Sequence, residues 1–390
     1  MGACGSKLQD GGGDFAMGEL GSKIVNGSPW VQYKPVNIAG ESQKPISKDT
    51  SVPIFDAKDR DSGNVAEIRQ VFVHRRFRTS RGATAVETIL RRVLALSHPN
   101  ILRVNQAYVS DNSVHLVTDA PDKQAVPLAQ FLASAGSLSV GLLTSLSHQM
   151  ATIVNYLHQS GFVHGFLAPE SFVVIPQVPT TAANNGADSG GGGGGEGREA
   201  QYATTVDAQP RVMLVDFGLE SAIGRNVDML VGVSRAAFAS PEVARKLTTL
   251  ALYNAEVSSP TPPGDVFSLG SILYFMFTGS RPFAGDSTQS VLNAIHTARV
   301  GEELFHEGTA GQHVPKGVAA LIITMMEHNE SHRIRAKDVV ASKYLQPQEE
   351  NSDDNGATPS IDSNLLKNFA MYQNSTVSTV CHRFFAFTFL

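Results

Sequence analysis

The apolar residues of this chain change period once, and that change limits what it can fold into. Up to Thr118 they come in short runs: Arg69-Gln-Val-Phe-Val-His74 and residues 101–104 and 113–118 are rich in β-branched side chains and read as strands. One helix interrupts them, with Val86, Ile89, Leu90, Val93 and Leu94 at helical spacing. Pro121 and Pro127 bracket a linker, and beyond it Leu142, Leu143, Leu146, Met150, Ile153, Val154 and Leu157 share one helical face. A small, mostly β region is therefore expected to precede a larger, mostly α region.

Between Pro176 and Pro210 the composition falls to Ala, Asn, Ser and six consecutive glycines, Gly190 to Gly195, which cannot bury a core. This stretch reads as a disordered surface insertion joining two short strands, residues 172–175 and 211–215. It costs little stability, because loop-closure entropy grows only with the logarithm of length.

At 390 residues the chain has room for one large two-lobed domain with tails. A net charge of −5 gives no reason to expect a nucleic-acid partner or a polybasic lipid patch. Cys4 and Cys381 are too few for a disulfide framework and wrongly spaced for zinc, which fits a reducing compartment. No stretch reaches the roughly 18 apolar residues of a spanning helix, and no signal-peptide core is present at the start. Membrane contact would need an anchor, and Met1-Gly-Ala-Cys-Gly-Ser6 fits the myristoylation pattern with Gly2 as acceptor. One acyl chain holds a protein weakly, so Cys4, placed for palmitoylation, supplies the second signal. Residues 11 to about 50 are rich in Gly, Ser, Lys and Pro and read as a flexible spacer.

Three segments carry a resemblance. His164-Gly-Phe-Leu-Ala-Pro-Glu-Ser171, Asp216-Phe-Gly218 and Ala239-Ser-Pro-Glu242 follow one another in the order and spacing of a protein kinase. Ser97-His-Pro-Asn-Ile-Leu102, Gly264-Asp-Val-Phe-Ser-Leu-Gly270, Pro282-Phe283 and Arg333 extend it, so that it covers roughly residues 70 to 345. The chain resembles the calcium-dependent protein kinase group. Asn364-Leu-Leu-Lys-Asn-Phe-Ala-Met-Tyr-Gln-Asn-Ser375 is similar to the helical junction that leads to the EF-hands there. Nothing after Tyr372 offers EF-hand ligands, and the apolar end, Phe384 to Leu390, fits a truncated or mis-spliced product or a helix that meets a partner.

The resemblance implies an α+β, two-lobed protein-kinase-like fold, with a small β-rich N-lobe and a larger α-helical C-lobe. It divides the chain into an acylated extension (1–50), the kinase-like domain (51–346) and a tail (347–390). Within the domain the N-lobe runs over about 51–120 and the C-lobe over about 125–346, with the insertion at 176–210. Active kinases hold the phosphates with a glycine-rich loop and a lysine, orient the hydroxyl with an aspartate, and bind magnesium through an asparagine and a second aspartate. Aligned on His164, Leu167, Pro169 and Glu170, the catalytic aspartate is replaced by Phe166, which cannot accept a proton. The phosphate-contacting lysine becomes Ala168, the metal-binding asparagine Ser171, and the arginine that pairs with an activation-loop phosphate Gly165. Val71-Phe-Val-His74 places His74 where the strand lysine belongs, with Arg75 beside it. Its helix partner falls on Ile89, and Glu87 lies about 200° away around the helix. The nearest trace of a glycine-rich loop is Gly40-Glu-Ser-Gln-Lys-Pro45.

Asp216 survives as the one metal-binding aspartate, a weak site for ATP and magnesium, or alternatively as a polar cap in a packed turn. His164 and Phe217 resemble members of the spine that ties the lobes, with Gly218 closing their turn. Asp265 resembles the residue that holds the catalytic-loop backbone, and Glu242 with Arg333 the ion pair bracing the activation segment. What is kept holds the lobe together and what is lost touches ATP or substrate. The sequence thus reads as a pseudokinase on the cytoplasmic face of a membrane, binding a protein partner such as an active kinase, with ATP and Mg as weak cofactors. The alternative is an atypical serine/threonine kinase that recruits Glu170 or Asp216 to the chemistry.

Overall fold

The computed structural model describes residues 22–36, 53–135, 138–176, 209–223, 233–253, 260–297, 300–346 and 363–376. Strands β1 (Ile24–Asn26), β2 (Tyr33–Pro35), β3 (Ile54–Asp59), β4 (Val65–Phe72), β5 (Val104–Val109) and β6 (Ser113–Asp119) form one sheet in the order β1-β5-β6-β4-β3-β2. Only β1 and β5 pair in parallel within it. Period-two alternation splits β4 between two environments. Ala66 and Ile68 join a small outer cluster with Tyr33, Ala57, Tyr108 and Val117, whereas Val71 faces the main core with Val86 and Leu90. Those two belong to helix α1 (Ser80–Ala95), whose first turn is capped by Thr79, its hydroxyl accepting from the Gly82 N–H at 3.1 Å. Gly82 is required there, since a Cβ would lie 2.4 Å from the Phe77 Cα.

The second lobe holds a three-stranded sheet, β7 (Val126–Pro127), β8 (Phe172–Ile175) and β9 (Arg211–Leu214), with α2 (Leu128–Ser134) and α3 (Val140–Gln159) beside it. Then come α4 (Leu219–Ile223), α5 (Val233–Ala236), α6 (Pro241–Tyr253) and α7 (Pro262–Thr278). They are followed by α8 (Thr288–Thr297), α9 (Lys316–Met325), α10 (Ala336–Val340) and α11 (Ser363–Thr376). Helix α7 is buried on every side from Gly264 to Thr278, as a helix apolar all round must be. Helix α11 caps the lobe: Leu365, Phe369 and Tyr372 are buried, and the Phe369 ring meets Phe275 edge-on at 5.1 Å.

The α+β, two-lobed arrangement expected from the sequence is what the chain adopts, with several corrections at element level. Strand β4 starts at Val65 and closes at Phe72, so His74 lies beyond it. Residues 101–104 do not form the second strand. Ile101 makes an isolated bridge to Leu214, and the strand is β5, which begins where that run ends. The linker after Pro121 contains β7. Residues 22–36, assigned to the flexible extension, contribute β1 and β2, because Tyr33 is buried beneath β3 and Trp30 meets Phe55 edge-on at 5.3 Å. The acyl acceptors Gly2 and Cys4, the Gly40 trace, nearly all of the 176–210 insertion and the apolar end lie outside the described residues.

Candidate functional site

The cleft-side loop from His164 to Ser171 runs into β8, and Asp216 follows β9, so pairing of β8 with β9 brings the two segments side by side. Gly218 makes the turn after Asp216 at φ +61°, and a Cβ there would stand 2.1 Å from the His164 carbonyl oxygen. His164 is buried, accepts from the Phe166 N–H at Nδ1 (3.3 Å) and donates from Nε2 to the Asp216 carbonyl (3.1 Å). That pattern belongs to the neutral imidazole, and burial pushes its pKa below the ordinary value.

Asp265, at the start of α7, holds this loop from beneath. Its Oδ2 accepts from the His164 N–H (2.9 Å) and from His158 Nε2 (3.0 Å), and its Oδ1 from the Gly165 N–H (2.7 Å). Glu242 and Arg333 meet in a two-pronged ion pair at 2.7 and 3.3 Å. The Arg333 side chain has no exposed surface, and its guanidinium also donates to the carbonyls of Pro263, Glu327 and His328. Phe217 is buried in the main core.

At the position aligned with the catalytic aspartate, the Phe166 ring is buried. Ala168 is fully covered and carries no polar side-chain atom. Ser171 donates its hydroxyl to Asp216 Oδ2 at 3.2 Å. Arg235, on α5, donates to that same oxygen at 2.6 Å and to the Phe166 carbonyl at 3.3 Å, with its guanidinium carbon 5.2 Å from the Phe166 ring centre. Burial by itself would raise the Asp216 carboxyl. The opposing charge of Arg235, with the Gly218 N–H, holds it well below the usual carboxylate range.

On the N-lobe side the geometry departs from the sequence reading. His74 lies past the end of β4, its backbone N–H bonded to the Ile223 carbonyl at 2.8 Å. The cation carried by β4 is Arg69, on the same strand face as Val71, and it lies 2.5 Å from Glu67 on that face. Glu67 is 3 % exposed at its side chain and stands opposite Thr118, whose hydroxyl donates to the Glu67 carbonyl at 3.3 Å. Glu87 turns away to solvent and pairs with Arg91 at 2.6 Å, one turn along α1.

Glu170, the other carboxylate considered for chemistry, accepts from the Tyr372 hydroxyl of α11 at 2.7 Å through Oε1, and its Oε2 is shut off from solvent. Burial first, and the facing Glu170 second, raise the Tyr372 phenol well above its ordinary pKa. Sequence reasoning missed Arg235, Glu67, Arg69 and the Tyr372 contact. Only the Glu67-Ile68-Arg69 alternation carried a readable signal.

The kinase resemblance implies ATP with magnesium at Asp216. The residues present do not fit that ion, because both carboxylate oxygens are engaged and one faces a fixed guanidinium. Magnesium demands near-octahedral oxygen donors, and the guanidinium charge beside this carboxylate opposes a second cation there.

Two lobes, a β-rich sheet with one helix packed on it and a helical lobe carrying a His-loop and an Asp-Phe-Gly turn at the cleft, define a protein-kinase-like fold. A twitchin kinase fragment from C. elegans shares it, with a TM-score of 0.59 at 15 % identity over 91 % of this chain and 65 % of that one. Residues 49–345 match the protein kinase domain family, more than half of the chain, and the protein belongs to that family. Serine/threonine-protein kinase PEPKR2 of Arabidopsis thaliana is 24 % identical over 263 residues, 66 % of this chain and 45 % of that protein. Death-associated protein kinase 2 of Mus musculus is 27 % identical over 243 residues, 61 % and 54 % respectively. The chain thus spans about half the length of these curated relatives.

Proposed function

We propose that this chain is a pseudokinase of the serine/threonine type, resembling the calcium-dependent group, held at a membrane by acyl groups on Gly2 and Cys4 and acting through protein binding. The observation that carries the reading is the pair Phe166 and Asp216. The residue aligned with the general base is a buried phenyl ring, and the remaining acid is committed to Arg235. Losing a general base costs 10²- to 10⁴-fold, and losing one preorganised charge contact about 2.7–4 kcal/mol of transition-state stabilisation. The partner is a protein, for example an active kinase engaged through the lobes. The relatives named above are described as kinases, so an active kinase is the reading to be excluded.

The deciding measurement is phosphate incorporation into the protein itself and into generic peptides with ATP and magnesium. No incorporation above a mock preparation is expected. Incorporation that disappears in Asp216→Asn sinks the reading. For the tether, Gly2→Ala should move the protein to the soluble fraction and Cys4→Ser should weaken retention, since a single acyl chain binds marginally. Gly2→Ala protein that stays with membranes refutes acylation as the anchor.

A further inference from the structure

We propose that Arg235 is the resident cation of this cleft, a built-in replacement for the divalent metal, and that it closes Asp216 to metal ions while pinning α5 to the Asp-Phe-Gly turn. The inference deepens the pseudokinase reading of the same site and rests on it. Both oxygens of the Asp216 carboxylate are engaged. Oδ2 receives Arg235 at 2.6 Å and the Ser171 hydroxyl at 3.2 Å, and Oδ1 receives the Gly218 N–H at 3.0 Å. A guanidinium cannot shed its proton to make way, so its charge stays at the carboxylate over the whole working pH range. A bound divalent ion would then sit against a fixed positive charge inside a partly desolvated cleft, where repulsion is weakly screened.

Displacing Arg235 is also structurally costly. The same guanidinium donates to the Phe166 carbonyl and lies over the Phe166 ring. Three residues on, just past the end of α5, Phe238 packs edge-on against Phe275 at 5.9 Å and Tyr372 at 6.2 Å, a second contact that holds the chain beside Arg235. The Asp216 side chain is 17 % exposed and that of Arg235 25 %, so solvent reaches the pair and the cation can be replaced experimentally without opening the core.

The test is a titration of the full chain with Mn²⁺ alone, read by the loss of the free-ion resonance signal. The proteins are wild type, Arg235→Gln, Arg235→Lys, and Arg235→Gln combined with Asp216→Asn. Wild type and Arg235→Lys should show no Asp216-dependent binding. Arg235→Gln should bind Mn²⁺ roughly tenfold more tightly or better, the scale of a coupling between neighbouring sites, and the double variant should lose the gain. Equal Mn²⁺ affinity in wild type and Arg235→Gln overturns the assignment. Should Arg235→Gln not fold, Asp216→Asn alone decides: unchanged Mn²⁺ binding relative to wild type supports Arg235 as the cation, and a fall overturns it. Phosphate transfer measured on the same wild-type sample separates the two ideas. Transfer with the Mn²⁺ result intact sinks the pseudokinase reading and leaves Arg235 as the resident cation.

Discussion

Glu242→Ala removes one partner of a covered ion pair in the C-lobe. The Arg333 side chain has no exposed surface and that of Glu242 is 20 % exposed, so the substitution strands a positive charge out of water. Breaking a buried pair in this way costs about 3–5 kcal/mol. Two features place this case near the lower end: Glu242 keeps some solvent contact, and the guanidinium retains carbonyl acceptors on Pro263 (2.7 Å), Glu327 (2.7 Å) and His328 (3.3 Å), along with the Phe267 ring at 5.1 Å. About 3 kcal/mol is expected, and at about 2 °C per kcal/mol for a domain of this size the melting point should fall by about 6 °C. Calorimetry of Glu242→Ala, Arg333→Met and the double variant tests the reasoning. The double variant should be less harmful than Glu242→Ala plus Arg333→Met, because no charge is left uncompensated. A melting point for Glu242→Ala within about 1 °C of wild type, or strict additivity, refutes it.

His115 is 5 % exposed, and burial lowers its pKa from 6.5 to about 4. The unfolded chain therefore takes up a proton between those values that the folded chain refuses. Stability is complete above pH 6.5 and falls as the pH drops towards 4, by roughly 3 kcal/mol at about 1.4 kcal/mol per pH unit. His115→Phe should flatten that slope in denaturant unfolding at pH 7 and pH 5, and an unaltered slope rules the histidine out as its source. Tyr372→Phe deletes the hydroxyl bonded to Glu170 while keeping the ring against Phe275 and Phe238. It should cost about 1.5–3 kcal/mol, as for hydrogen bonds to charged groups, and speed proteolysis of the tail. Wild-type behaviour in both measurements shows that α11 is held by its apolar side chains alone.

The segments that named the kinase likeness were legible because each is a local device: a turn glycine such as Gly218, a buried acid at a helix start such as Asp265, and a short strand with β-branched residues such as Phe172–Ile175. Element edges were harder. The sequence reading starts this strand at Arg69, four residues late, because Ala66 and Glu67 are poor strand formers and the apolar run that draws attention is Val71-Phe-Val73. That shift moved the strand's cation from Arg69 to His74. Strands β1 and β2 are three residues each, too short for period two to rise above a Gly- and Ser-rich background. The partner of Asp216 could not be read at all. Arg235 stands 19 residues downstream, on a four-residue helix, and only tertiary packing aims it at the turn.

Of the four acids around this loop and turn, Glu170 and Asp216 were the candidates for chemistry and Asp265 and Glu242 the braces, and each is answered by the protein itself. Asp265 takes two backbone N–H groups and His158, Glu242 takes Arg333, Glu170 takes Tyr372, and Asp216 takes Arg235. The compensation differs in a way that ranks their freedom. Asp265 is fully buried and held by donors fixed in the backbone, so it cannot swing out without unmaking the loop. Glu242 faces a guanidinium with no exposed surface. Glu170 is tied to a helix that packs through aromatic rings. Only the Asp216–Arg235 pair has both side chains in contact with solvent, at 17 % and 25 %. Any acquisition of nucleotide or metal chemistry must therefore begin there, by releasing Arg235 before a base is installed at position 166. Phe166→Asp made in the presence of Arg235 would place a second carboxylate beside the same guanidinium and strengthen the clamp it was meant to bypass.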